Sequence, residues 1–480
     1  MFSSIILFLS QLLIPLTGVF FSTFFGLLIL RFDTLINPSS LLSLSRCLFS
    51  FFLVSVSSNS LSHSFKNSSS LFPVSLLSSS LLSSSFLLSS LIYYFTRVYA
   101  KNNNSLRKQN YRTKLRALVT ASLMGKVATR EALRFMVDCL KAAGANPKPA
   151  QQQAELLIQA DRFGHPSHGL NRLEMYVNDI LSGACFPNNE PEILKESLST
   201  AWIDAKHVLG ATASHFGMDI AIKKAKQTGV GWVTVKGTNH NGIAGFWSQK
   251  AADNGLIGLA MTNTSPLLVP TRSKKSALGT NPISVVAPAA NKDSFYLDMA
   301  TTAVAVGKIE MQRRKQEPLP SGWAQGPDGK ETTDPELAFK TGCLMPLGGG
   351  ELTSGFKGFG LSAVVDMLTG ILAGANYGHH IRSWAHSGEG GHANLGHCFV
   401  ALDPECFAPG FGDRLAESLQ YWRKLEPTDP SKPVMAPGDK EKKSAAETDA
   451  RGTVSYVKQQ IESSAALAKK LKVKPMEVTP

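Results

Sequence analysis

The stretch VGWVTVKGTNHNGIAGFWSQKAADNGLIGLAM, residues 230–261, places two short apolar runs on either side of a helical pattern. VGWVTV (230–235) and LIGLAM (256–261) are bounded by Gly and Asn, as buried strands are, and AGFWSQKAADNG between them reads as a helix. Two further runs, ISVVAP (283–288) and FYLDMA (295–300), repeat the strand signal downstream. A mixed α/β core follows. No GxGxxG opens a βα turn: GVGW (229–232) stops after two glycines and enters a strand. A dinucleotide bound here is therefore not held by a Rossmann fingerprint.

Upstream the pattern is helical. TREALRFMVDCLKAAG carries Leu133, Met136, Val137 and Leu140 at helical spacing, with Thr129 as its expected cap and Gly144 as its stop. NPKP interrupts, AQQQAELLIQADRFG forms a second helix, and Leu170, Leu173, Val177, Ile180 and Leu181 define a third that ends near Gly183. Downstream, 316–350 reads as loops, GLSAVVDMLTGILAG (360–374) as a helix and VKQQIESSAALAKKL as a final amphipathic helix.

The charge is divided unevenly. Residues 1–123 hold ten Lys/Arg and one Asp/Glu, so they carry +9 of the net +13 and leave +4 to the remaining 357 residues. That is ordinary for a globular protein, and no Lys/Arg stripe interleaved with aromatics marks a nucleic-acid groove. Residues 1–30 lack any charged residue and are long enough to span a bilayer, but a Ser/Leu/Phe run of low complexity follows them. Three readings stand: a signal-anchor with a positive flank, a cleaved signal, or pyrimidine-rich untranslated sequence read as codons, with the functional chain starting near Met124. A membrane is a partner only if residues 1–96 are a real anchor; otherwise the protein is expected in the cytoplasm. Six scattered cysteines without a CxxC pair fit reduced thiols, and no Cys/His spacing resembles a zinc site.

The reactive groups concentrate in GHPSHGLNR (164–172). Ser167 is a good N-cap for the third helix, which puts His168 in its first turn with Arg172 about 40° away on the wheel and turned from the apolar stripe. The segment reads either as a capped helix with a solvated polar face or as a proton donor beside an arginine fork. The second arrangement suits a 2-oxo or 2-hydroxy acid, its carboxylate on Arg172 and its oxygen facing His168. His240, at a strand end between two Asn residues, is either a site residue or part of a helix cap. TNTSP (262–266) and GTNP (279–282) supply uncharged donors, and GFKGFG (355–360) permits close backbone approach with Lys357 able to meet a phosphate.

Taken together, SHGLNRLEMYVNDI, NHNGIAGFWSQKAA, LGTNPISVVAP, LDMATTAVAVGKIEM, LPSGWAQGPDGKETTDP, PLGGGELTSGFKGFGL and ANLGHCFVALDPECFAPGF resemble the malate/L-lactate dehydrogenase type 2 family, in order over residues 124 to 480. The resemblance implies an NAD- or NADP-dependent oxidoreductase of non-Rossmann α/β fold, a homodimer whose sites draw on both subunits. It implies His168 as proton donor oriented by Ser167, Arg172 on the substrate carboxylate, and His240 as second candidate for proton transfer. Thr262, Asn263 and Thr264 match a stretch near substrate and nicotinamide. Cofactor-binding segments map onto Ser294, Phe295, Tyr296, Leu297, Asp298, Met299 and Ala300, onto Phe356 and Lys357, and onto Pro437, Gly438 and Asp439. His165 is given no role. The expected organisation is an extension (1–123), a helical part carrying SHGLNR (124–200), an α/β dinucleotide- and substrate-binding core (201–440) and a C-terminal helical segment packing back on the enzyme (441–480). Rival readings are a membrane-anchored scaffold that keeps the fold without catalysis, and a metal-dependent hydrolase, for which no HExxH or carboxylate cluster is present.

Overall fold

Seven strands of one sheet and a small two-stranded sheet frame the computed structural model, which describes residues 124–383 and 391–479. The extension 1–123, and with it the anchor reading of residues 1–30, lies outside the described residues. The chain enters as β1 (Met124–Ala128), followed by α1 (Thr129–Ala142), α2 (Pro147–Arg162), a 3-10 turn (Leu170–Arg172) and α3 (Leu173–Leu181). Then come β2 (Glu192–Glu196), β3 (Thr200–Asp204), α4 (Gly210–Thr228), β4 (Val230–Thr238), α5 (Ala244–Ala252) and β5 (Ile257–Thr262). β6 (Ile283–Pro288), β7 (Ser294–Met299), α6 (Val306–Lys315), α7 (Pro335–Thr341) and α8 (Gly355–Asp366) follow, α8 running into a π-turn (Met367–Ile371). The chain closes with β8 (Leu395–Leu402), α9 (Phe411–Arg423), α10 (Asp439–Arg451), β9 (Thr453–Val457) and α11 (Lys458–Leu471).

The large sheet has the order β2-β3-β4-β8-β5-β6-β7, with only β3 and β4 parallel. β8 is its centre, antiparallel to β4 on one side (Val233 opposite Phe399) and to β5 on the other (Ala260 opposite Phe399). Side chains alternate across a strand, so Phe399 and Ala401 join the core under α4 and α5, while Cys398 and Val400 meet Val365 of α8 and Leu368 of the π-turn on the opposite face. Both faces of the sheet centre are covered.

A second core joins the two ends of the described chain. β1 pairs antiparallel with β9, Met124 opposite Val457 through Ala128 opposite Thr453. The buried stripe of α1 (Ala132, Phe135, Met136, Cys139, Leu140) packs with α2, α3 and with Leu467 and Ala468 of α11. Among the described residues no helix is long and apolar enough to cross a membrane.

Several local expectations shift. Thr129 is the first helical residue, not the cap, because the chain arrives from β1 already extended at Ala128. NPKP does not stand between helices: Pro147 opens α2, where its missing N–H costs nothing. α7 interrupts the stretch 316–350, its Asp334 carboxylate accepting from Glu336 N and Leu337 N. α8 begins at Gly355, five residues before the apolar periodicity becomes visible.

Candidate active site

The SHG segment is a turn. Ser167 caps no helix; its Oγ lies 2.9 Å from His168 Nδ1, and the 3-10 turn starts two residues later. The N–H of Leu170, the group a cap would satisfy, donates instead to Asp161 Oδ2 at the end of α2 (3.0 Å), and Tyr456 of β9 donates its hydroxyl to the same oxygen (2.7 Å). A Cβ on Gly169 would stand 1.8 Å from Asp161 Oδ1, so glycine alone admits this carboxylate. Burial raises the Asp161 pKa to about 7 against the two donated hydrogen bonds.

Arg172 reaches back to donate from Nε to the carbonyl of Ser167 (2.8 Å). His240 sits in the loop between β4 and α5, under the first residue of α4: a Cβ on Gly210 would be 2.1 Å from the His240 carbonyl oxygen. The rings of His168 and His240 stack at 5.7 Å between centroids, 24° from parallel. Nδ1 of His240 accepts from Gly242 N–H (3.3 Å) and lies 2.5 Å from the hydroxyl of Tyr176. Neither Nε2 has a hydrogen-bond partner among the described residues.

Ser167, His168, Arg172, His240 and Thr264 therefore meet at one cavity of about 120 Å³, walled on its apolar side by Met175, Leu267 and Val306. Burial depresses both imidazoles. His168 is lowered well below the usual histidine range, with His240 and Arg172 adding repulsion, and His240 falls to about 3 under burial and the Arg172 charge. Both rings are neutral at neutral pH. Burial also lowers the Arg172 pKa, opposed by Glu310.

A polar chain that the sequence did not mark runs along one wall. Arg382 Nη2 donates to both oxygens of buried Asp179 (3.1 Å each), Asn239 Nδ2 donates to Asp179 Oδ2 (2.9 Å), and Asn239 Oδ1 accepts from His240 N–H (2.8 Å). His397 stays outside the cavity. Thr238 Oγ1 donates to the Leu395 carbonyl (2.7 Å), so it accepts from His397 Nε2 (2.9 Å), which makes this a satisfied core histidine.

Thr262 and Asn263 face inward rather than into the cavity. Thr262 Oγ1 donates to the Asn263 carbonyl (2.9 Å); the Asn263 amide donates to Asn376 O (2.8 Å) and accepts from Gly396 N (2.9 Å). They tie the end of β5 to β8 and carry Thr264 to its place.

A model of the malate/L-lactate dehydrogenase family matches residues 127–463. The chain belongs to the malate/L-lactate dehydrogenase family. Malate dehydrogenase from Pyrococcus horikoshii is 41% identical over 289 residues, 60% of this chain and 79% of the relative. L-sulfolactate dehydrogenase from Methanocaldococcus jannaschii is 37% identical over 312 residues, 65% and 87% of the two chains. The solved structure of the P. horikoshii malate dehydrogenase aligns with a TM-score of 0.67 at 34% identity, covering 73% of this chain and 97% of that one. The M. jannaschii sulfolactate dehydrogenase structure gives 0.67 at 33%, covering 73% and 98%.

The segments that family resemblance points to for the cofactor fall in two places. Ser294 to Ala300 form β7 and its exit, an edge of the large sheet, with Phe295, Leu297 and Met299 half-buried. Tyr296 N donates to the Pro437 carbonyl (3.2 Å), and Gly438 lies over Tyr296 where a Cβ would come within 2.5 Å. Asp439 is held by Arg423 (2.8 and 2.7 Å), so its carboxylate is engaged in the fold. Asp298 Oδ2 accepts from Gly245 N (2.8 Å), and burial raises this carboxyl to about 6. His165 joins this side through Glu441 (3.4 Å). Phe356 and Lys357 lie exposed in the first turn of α8 and do not line the cavity.

The donor set fits a nicotinamide cofactor. Thr264 and Thr280 hydroxyls, 3.3 Å apart, are uncharged partners for an amide, and Leu267 and Val306 offer an apolar wall to a flat ring.

Proposed function

We propose that this malate/L-lactate dehydrogenase family member interconverts a 2-hydroxy acid and a 2-oxo acid, with Arg172 on the substrate carboxylate and His168 moving the proton. NAD(P)-dependent dehydrogenase activity is the activity of the family. Relatives act on malate and sulfolactate by name, and both nicotinamide forms occur among them: ureidoglycolate dehydrogenase of Escherichia coli is NAD(+)-linked and the sulfolactate enzyme of Chromohalobacter salexigens NADP(+)-linked.

The observation that carries the reading is the convergence of Ser167–His168, Arg172 and His240 on one cavity sized for a small acid. When bound, NAD or NADP supplies the hydride acceptor or donor. The protein does the rest. Arg172 fixes the C1 carboxylate, and its Nε anchor on Ser167 O sets its distance from the adjacent imidazole. Ser167 Oγ holds His168 Nδ1, which directs Nε2 to the substrate oxygen. A neutral His168 is ready to accept the hydroxyl proton in oxidation. In reduction it must first be protonated, and the substrate carboxylate beside Arg172 supplies the negative field that favours this. Met175, Leu267 and Val306 keep the reacting centre dry.

His168→Ala is expected to lower kcat by about 10²–10⁴-fold with cofactor affinity, read by fluorescence titration, within about twofold. Surviving activity would transfer the proton role to His240.

We also propose a homodimer. Val364, Met367 and Ile371 stand 42%, 49% and 53% exposed on the outer side of α8 and its π-turn, while Val365 on the inner side is buried against the sheet. Among the described residues nothing covers that outer side, and an exposed apolar stripe of this kind suits association with a second copy.

A further inference from the structure

We propose that Tyr176 is a positioning residue that locks His240 in its Nε2–H tautomer, so that His240 donates a hydrogen bond to the substrate oxygen and keeps its proton while His168 alone transfers one. The proposal rests on the reading of the cavity as a 2-oxo acid site, and it divides the labour between its two histidines.

The tautomer follows from who donates. A backbone N–H has only a proton to offer, so Gly242 N, 3.3 Å from His240 Nδ1 and also facing the Tyr176 hydroxyl, favours a lone pair on that nitrogen. With Nδ1 an acceptor, the Tyr176 hydroxyl at 2.5 Å from the same nitrogen is also a donor. The ring proton is therefore on Nε2, the nitrogen with no hydrogen-bond partner among the described residues. Tyr176 is fully buried on α3, four residues after Arg172, so the segment that places the carboxylate fork also places the lock. Burial raises the phenol well above its usual range, and it stays a donor at working pH.

A second proton on His240 would have to displace both donors from Nδ1. The groups around it oppose that as well: Arg172 is cationic, His168 lies stacked on it, His397 is behind it, and Asp179 is already held by Arg382 and Asn239. A neutral imidazole N–H is too weak an acid to surrender its proton, but it polarises a carbonyl well. In reduction, C2 of the 2-oxo acid receives hydride with its electron pair from NAD(P)H, the C=O π pair moves to oxygen, and that oxygen takes the proton from Nε2 of protonated His168. His168 ends neutral. The N–H of His240 stabilises the developing alkoxide and is unchanged at the end.

The test is a double-mutant cycle in the full chain. Tyr176→Phe is expected to lower kcat about 10-fold or more, a part of what losing an oxyanion donor costs, with KM for the 2-oxo acid within about twofold. In a His240→Gln background, where the amide N–H replaces Nε2–H and no tautomer exists, Tyr176→Phe is expected to add nothing. Equal losses in both backgrounds, or full kcat in Tyr176→Phe, overturn the proposal. The second readout needs no catalysis: ¹⁵N NMR of ring-labelled histidine, with His240 assigned by its loss in His240→Gln. Wild type is expected to show pyrrole-type Nε2 and pyridine-type Nδ1, and Tyr176→Phe a mixture. A proton on Nδ1 in wild type overturns the lock; lack of any NAD(P)-linked activity beside a correct tautomer would instead remove the 2-oxo acid reading.

Discussion

Asp161 touches no part of the cavity, yet the turn that carries His168 hangs on it. Its Oδ2 accepts from Leu170 N and from the Tyr456 hydroxyl, two groups otherwise left without an acceptor in the interior. Asp161→Ala is expected to remove about 2–4 kcal/mol of unfolding free energy, since two buried donors lose their partner. Its titration has a definite sign. The folded-state value of about 7 stands above the ordinary 3.8, so protonation favours the fold. The contribution is fully present below about 3.8 and is lost as pH rises toward 7. In Asp161→Asn the slope of stability against pH between 4 and 7 should flatten, as urea unfolding at successive pH values would read. An unchanged slope would mean that another group dominates the titration. At this scale the sequence pointed to Ser167, His168, Arg172 and His240, because histidine and arginine crowded into a short polar segment stand out. Asp161, Tyr176, Asp179 and Arg382 did not stand out. Each is an ordinary polar or aromatic residue in its own segment, and only the fold brings its partner within reach.

Gly169 shows the same limit at the level of the element. A helix wheel places His168 and Arg172 on one face of a continuous helix, and the cavity does bring them together. The backbone does it differently, through a turn and a 3-10 segment ahead of α3, with Arg172 folded back onto Ser167 O. Gly169→Ala would force its Cβ and the Asp161 carboxylate apart from 1.8 Å. A displacement near 1 Å at the proton carrier is expected to lower kcat/KM by about 10²-fold, and steady-state kinetics within twofold of wild type would contradict this. Four strands of the large sheet were legible because Gly, Asn and Pro bound their apolar runs. β8 was not, although it is the central strand. LGHCFVAL is buried on both faces, so it lacks the alternation that marks a half-buried strand, and it contains a glycine and a histidine. α8 was legible only from residue 360, because GFKGFG reads as a loop until its backbone packs against Leu347.

Across the whole molecule, the cavity exists only by long-range assembly. Its polar wall joins α3 to the loop after β4 and to Arg382, none of them neighbours in sequence. Among the described residues, the layer order leaves an apolar stripe uncovered on α8 and its π-turn. α8 and its π-turn cover one face of the sheet with Val365 and Leu368, and Trp202 of β3 donates its indole N–H to the Ala373 carbonyl (2.7 Å), which pins the far end of that layer. Outward, the same layer presents Val364, Met367 and Ile371. Covering this stripe would be favourable, and in the homodimer we propose a second copy would supply a matching apolar stripe through a two-fold axis. Ile371→Glu places a charge in the middle of that contact while leaving the inner side untouched. Light scattering after size exclusion is expected to give twice the 51.8 kDa chain mass for the wild type and the single chain mass for Ile371→Glu. Far-UV circular dichroism of the variant should stay native, since Ile371 is half exposed within its own chain. A wild type that elutes as a monomer, or a variant that remains dimeric, would place the interface elsewhere or remove it.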